Sequence, residues 1–419
     1  MTIPQLPGFD QTIPFLREGY GFISNRCDRL GTDAFHTRLM LRRATCLRGE
    51  EAARVFYHPD RFTRRRGAMP PTTMRLLQDK GSVQSLEGAA HRQRKALFLR
   101  LLTGDVAERD FLALFREEWL AALEHWTARP EIVLHDEVNR ILTRAACRWV
   151  GVPQMEPREL TSMIENAGSV GPAVLGALAR RRRTEARLRA VVEAARGRGA
   201  PDGETPLRAI IEHRDHNGER LSPEVAVVEL LNILRPVVAI GRYIMFTAMA
   251  LHDHPGWHAR LREGTDRERQ YFVEEVRRLY PFFPLVAGVA KAPFRWRDHG
   301  FAAGDWVILD LYGATHDPRL FPEPQVFDPG RGLDWRRFDH GFIPQGAGDP
   351  EETHRCPGER LTVATMREAA RLLTQVMSYD VPPQDLSLPL DRMPTRPARN
   401  LILSNIRRLP AGPTPDTGG

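Results

Sequence analysis

From Leu86 onward, apolar residues recur at three- and four-residue spacing, the period of helices that turn one face to a core. The pattern predicts helices over 89–102, 106–127, 138–150, 157–167 and 173–198. Gly199-Ala-Pro-Asp-Gly203 then interrupts the chain as a surface loop. The longest apolar run opens on Ser222-Pro-Glu224, an N-cap residue followed by a first-turn proline, and reaches about His252, short of Pro255. Because it is apolar nearly all round, it is predicted to cross the core. Strand-like patterns are short: 41–48 ahead of a helix at 49–57, 294–311, and 399–408. Loops are expected at 58–72 and 318–345, and a helix from Cys356 to Met377. The first forty residues carry turn signals and one helical segment, and no internal repeat is present. These elements predict a mainly α fold with small β-sheets, one domain over 1–409 and a frayed tail over 410–419.

Composition narrows the class. The chain has 419 residues, 42% of them hydrophobic, and a net charge of +7, which is globular and excludes a disordered or fibrous protein. The basic balance by itself does not choose among anionic partners. No aromatic-interleaved basic patch appears, so nucleic acid is not an expected partner. The run Arg180–Arg183, with Arg187 and Arg189, reads as a solvated helix face. The N-terminus lacks the basic and apolar regions of a signal peptide. The most apolar stretch, 230–251, contains Asn232, Arg235, Pro236 and Arg242, a poor membrane span. The expectation is a soluble, cytoplasmic protein.

The four cysteines include no C-x-x-C pair, which argues against zinc knuckles and thioredoxin-like chemistry. Cys147 reads as a core residue, and Cys27 and Cys46 have no supporting neighbours. Cys356 differs. It lies in Phe342-Ile-Pro-Gln-Gly-Ala-Gly … His354-Arg-Cys-Pro-Gly-Glu359, between a glycine-rich loop and a helix start. Backbone N–H groups and the helix dipole there favour a thiolate. Gly358 lets the backbone lie close to a flat ligand. A structural loop cysteine is the alternative on spacing alone. A thiolate ligand to haem iron pushes electron density onto the metal and favours O–O cleavage.

With these residues the sequence resembles the cytochrome P-450 superfamily. Glu275-Val-Arg-Arg278 resembles its E-x-x-R motif, about eighty residues before Cys356, and the resemblance implies an ion cluster of Glu275 and Arg278 with Arg331. It also implies haem b, held between the long central helix and the loop of its axial ligand, Cys356. Phe342 and Cys356 stand fourteen residues apart, wider than in ordinary members. That insertion resembles the bacterial fatty-acid peroxygenases, as do Arg17-Glu-Gly-Tyr-Gly-Phe-Ile, Glu51-Ala-Ala-Arg-Val-Phe-Tyr and Gly88-Ala-Ala-His-Arg-Gln-Arg-Lys-Ala-Leu-Phe.

The long helix reads Leu234-Arg-Pro-Val-Val-Ala239 where oxygen-activating members usually carry an acid–Thr pair for proton relay. Hydrogen peroxide already holds oxygen at the required level, so only proton transfer remains. Arg235 is a cation in an apolar helix and needs a partner. Pro236 opens the helix one turn back. The partner is either an internal Asp or Glu, or the carboxylate of a long-chain fatty acid, held bidentately and acting as acid–base group. Val238 and Ala239 would then line the substrate. The resemblance places Gln84 in the distal pocket, with Gln linked to hydroxylation and His to decarboxylation. It suggests His91, Lys95, Arg64 and His354, with Arg94, for the haem propionates. Thr353 stands where Gly is common, so the loop path is expected to differ. Gln78 stands near where an aromatic is expected to line the channel. The reading is a peroxide-driven fatty-acid hydroxylase without a redox partner. An electron-transfer-dependent mono-oxygenase is the alternative.

Overall fold

The structure, a computed structural model, describes residues 3–65, 67–79, 81–169, 171–198, 204–334, 336 and 340–410. The predicted loop at 199–203 and nearly all of the predicted tail lie outside these residues. The expected helices are Gly88–Thr103, Asp105–Trp126, Leu134–Val150, Pro157–Glu165 and Pro172–Arg198. The run from Pro223 to Asp253 is one helix, capped by the Ser222 hydroxyl accepting from the Val225 N–H at 3.2 Å. Every residue of it from Ala226 to Leu251 is buried except Pro236, which is exposed, and Ala239, which is half-buried. Those two lie three residues apart and share a face. The helix therefore runs through the core and opens to a cavity at one place.

The helix after the cysteine loop is shorter than expected. It spans Glu359–Arg371, widens into a π turn over Leu372–Val376, and gives way to a strand at Met377–Asp380. Two further helices, Pro206–Glu212 and Pro255–Glu263, have too few periods to stand out in the sequence.

The main sheet has five strands. Ala34–Leu39 and Arg42–Leu47 form a hairpin, and the second strand runs parallel to Trp306–Asp310 with Thr45 opposite Val307. Leu285–Ala290 follows, and Phe62–Thr63 closes the edge. The first hairpin strand was not expected because its turn residues are Met40 and Leu41, both at positive φ, where Gly or Asn is the usual signal. The 294–311 region is three strands, Phe294–Trp296, His299–Phe301 and Trp306–Asp310. At the C-terminus one strand, Ile402–Arg408, pairs with both Glu131–Val133 and Met377–Asp380.

One surface expectation is overturned. Arg181 is fully buried, although its run was read as solvated. Its guanidinium donates to the Leu76 carbonyl at 2.7 Å and to Glu185 at 2.8 Å. Arg182, Arg183, Arg187 and Arg189 are exposed, as expected.

Candidate active site

Two buried ion clusters hold the cysteine loop. Glu275 and Arg278 pair at 2.6 Å with neither side chain exposed. Arg331 Nε lies 3.5 Å from Glu275, and Arg278 donates to the carbonyls of Thr315, Pro324 and Val326. The E-x-x-R pair thus pins the irregular segment ahead of the cysteine. The second cluster was not foreseen. Arg277, also fully buried, pairs with Glu274 and with Glu359, the residue that opens the helix after Cys356. Glu359 also accepts from Arg355 at 2.7 Å.

Gln345 joins that cluster to the cysteine. Its Oε1 accepts from Arg277 at 3.0 Å, so its Nε2 is turned to Cys356 Sγ at 3.6 Å. The carboxamide orientation is fixed by its partners, making Gln345 a donor to sulfur. Sequence reading missed this because Gln345 differs from other loop amides only by its position. Thr353 accounts for the insertion's path: its buried hydroxyl lies 2.8 Å from the carbonyls of both Ala347 and Asp349 and shares its one proton between them. Burial pushes the Cys356 thiol up, against the Gly358 N–H, Lys95 and Gln345, which pull it down. A metal cation bound at the sulfur would favour the thiolate.

On the long helix, Arg235 is buried and pairs with no carboxylate among the described residues. It donates to the Leu76 carbonyl at 3.1 Å and to Asn232 Oδ1 at 3.2 Å. Leu76 O is shared with Arg181, but Arg181 is neutralised by Glu185 and Arg235 is not. Burial, then Arg181, pushes the Arg235 guanidinium down to about 9. The internal-acid alternative for its partner is thus not realised.

Asn232 also donates to Glu229 at 2.8 Å and to Gln84 Oε1 at 3.2 Å. Glu229 is wholly buried and held by Arg94 at 2.6 Å, so Arg94 faces this acid and not the outer basic group. Gln84 is half-buried beside the long helix, and Pro236 and Ala239 mark that helix's one open stretch. Val238 is buried. Gln78 is half-buried and ends the helix Pro71–Leu77 whose Leu76 carbonyl holds Arg235.

The basic residues gather on the other side of the cysteine loop. His91 and His354 rings lie 4.3 Å apart, and His91 Nε2 is buried with no hydrogen-bond partner. Burial, then Lys95, Arg64, Lys291 and Arg92, pushes His91 down to about 4. His354 is held well below its usual range by burial, Arg64 and His91. Lys95 Nζ donates to the carbonyls of Thr353, at 3.0 Å, and of Arg355. Arg64 lies over the Tyr57 ring at 5.0 Å. An orphaned imidazole nitrogen among several cations fits the anionic edge of a haem, and the Cys356 loop with its sulfur donor fits the metal.

Buried ion clusters behind a cysteine loop, a long helix with one open stretch and a corner of cations define a haem-thiolate protein. Known proteins agree. The family model "Cytochrome P450" matches residues 270–403. Cytochrome P450SP alpha, solved in complex with (R)-ibuprophen, superposes with a TM-score of 0.91 at 42% identity, covering 96% of this chain and 99% of that one. Cytochrome P450EX alpha with myristic acid gives 0.92 at 39% identity, covering 98% and 100%. A variant of cytochrome P450 OleT in complex with arachidonic acid gives 0.91 at 30% identity, covering 98% and 99%. Among curated sequences, human cytochrome P450 4A11 is 28% identical over 140 residues, 33% of this chain and only 26% of that protein. Ent-kaurenoic acid oxidase 1 of Arabidopsis thaliana is 23% identical over 80% of this chain and 74% of its own length. The chain belongs to the cytochrome P450 family, in its bacterial fatty-acid peroxygenase branch.

Proposed function

We propose that this protein uses hydrogen peroxide to hydroxylate long-chain fatty acids at the α or β carbon, with decarboxylation to the terminal alkene as a side reaction. One observation above all supports this: Arg235 is a buried guanidinium with no acidic partner among the described residues. A buried unpaired cation costs several kcal/mol, roughly, and a bound carboxylate removes that cost. Two of its five N–H groups are taken, which leaves donors for a carboxylate.

Residues 1–409 act in this reading as one haem-thiolate domain. Cys356 would hold the iron of haem b through its sulfur, to which Gln345 donates. His91, His354 and Arg64 would meet the propionates, and Lys95 would add charge while two of its three N–H groups hold the cysteine loop. When bound there, haem would supply the chemistry that transfers one peroxide oxygen atom to a C–H bond. The carboxylate held by Arg235 does the acid–base work. One of its oxygens takes the proton from one peroxide oxygen and hands it to the other, which leaves as water. Pro236 frees the helix wall beside this point, and Val238 and Ala239 line the first carbons of the substrate. A clamped carboxylate leaves its own α and β carbons as the nearest C–H bonds. Gln84, oriented by Asn232, keeps its amide N–H groups for the cavity.

No redox partner is needed, because peroxide brings its own oxidising equivalents. The cytoplasm is the proposed location. All four cysteines are free, as in a reducing compartment, and no helix among the described residues is long and apolar enough to cross a membrane. The test is turnover of hexadecanoic acid with hydrogen peroxide alone, with products identified by mass spectrometry. Product that appears only with added ferredoxin or flavoprotein would establish the mono-oxygenase instead.

A further inference from the structure

The long helix holds a second buried cation, Arg242, two turns beyond Arg235 and so about 10 Å along the axis at roughly 1.5 Å per residue. Its residue is 6% exposed. Nη2 donates to the Phe282 carbonyl at 2.7 Å, and the guanidinium lies 4.1 Å from the Phe282 ring centroid. Nη1 is buried and without a partner among the described residues.

Arg242 lines a cavity of about 370 Å³ together with Asn139, Glu165, Ala239, Thr395 and Arg396. The wall holds a second unpartnered buried atom, Thr395 Oγ1, on a residue with 0% exposure. The charges facing Arg242 do not neutralise it. Glu165 acts on Arg242 but is bound by Arg396 at 2.9 Å, and with Asp391 the wall carries two acids against Arg242, Arg392 and Arg396. His135 is pushed down to about 3 by burial, then Arg396 and Arg242, and is neutral. An excess positive charge and a residue with an idle hydroxyl therefore line one partly open cavity, with Val238 and Ala239 in the wall toward Arg235.

We propose that this cavity is a carboxylate-binding subsite, with Arg242 as counter-ion and the Thr395 hydroxyl as second donor. Two sources share that chemistry. One is the far carboxylate of an α,ω-dicarboxylic acid whose near end sits at Arg235. The other is a separate carboxylate ligand. The proposal needs no peroxide chemistry; its diacid form rests on the carboxylate clamp proposed for Arg235, its separate-ligand form does not, and turnover tests the proposed function separately.

Calorimetric titration of the haem-loaded protein tests it, with octanoate and with α,ω-dicarboxylic acids as probes. For a separate ligand, wild type binds a second equivalent of octanoate, which Arg242→Gln loses and Arg235→Ala keeps. For a spanning diacid, wild type binds it at least about tenfold tighter than the monoacid of equal length, and Arg242→Gln removes that advantage. Gln at 242 keeps a donor for the Phe282 carbonyl. Thr395→Val leaves every recorded contact of Arg242 in place and is expected to weaken the same binding event by about five- to tenfold. A single octanoate equivalent with no diacid advantage overturns the proposal. So does binding left unchanged by both Arg242→Gln and Thr395→Val.

Discussion

Asn232 Oδ1 accepts a hydrogen bond from Arg235 at 3.2 Å, while the same amide donates to Gln84 at 3.2 Å. One side chain thus orients both the proposed carboxylate clamp and the residue proposed for product choice. Asn232→Leu is expected to raise the fatty-acid dissociation constant by about ten- to a hundredfold, as for loss of a hydrogen bond to a charged group. The measurement is the substrate-induced haem spectral shift. Titrations identical to wild type would remove Asn232 from the clamp.

Arg235→Ala is expected to keep haem and to lose peroxygenase turnover by about a hundredfold or more, the scale for truncating a buried charge partner. Long-chain alcohols are expected to be poor substrates of the wild type. A short carboxylic acid is expected to restore turnover of a neutral co-substrate in wild type and not in Arg235→Ala. Neutral chains that react as fast as acids without added carboxylate would shift the search to a protein acid–base group; His91, at the corner of cations and pushed down to about 4, is not placed for it.

Gln84→His is expected to raise the terminal-alkene fraction. A neutral amide neither gives nor takes a proton near neutral pH, and an imidazole does both. Product ratios by gas chromatography decide it, and an unchanged ratio separates Gln84 from product choice.

Cys356→Ala is expected to lose the red-shifted Soret band of the reduced carbon monoxide complex. Gln345→Leu is expected to keep that band and lower the haem reduction potential, because a hydrogen bond to a ligating sulfur withdraws electron density. An unchanged potential would make Gln345 a packing residue only.

Glu275→Ala leaves Arg278 buried without its acid, at a cost of roughly 3–5 kcal/mol. The expected product is haem-poor or insoluble protein, read from the haem-to-protein absorbance ratio. A fully haem-loaded, soluble variant would contradict the structural role.

Much of this was legible in the sequence because it is local. The long helix announces itself by its apolar run and Ser222 cap, and Arg235 by being a cation within that run. What was illegible depends on contacts distant in the chain. Arg181 looks like any residue of a basic run, and only the Leu76 carbonyl and Glu185 make it internal. Asn232 reads as an ordinary helix polar residue until Gln84, 148 positions away, meets it. The Met40–Leu41 turn escaped because neither residue advertises positive φ.

The missing acid beside Arg235 has a consequence for survival of the enzyme itself. In the proposed mechanism the proton shuttle arrives and departs with the fatty acid. A resting molecule that meets peroxide then has no group in place to split it, and its haem and methionines are spared self-inflicted oxidation. The substrate serves as the safety catch, and oxidant consumption in the cell follows the supply of free fatty acid.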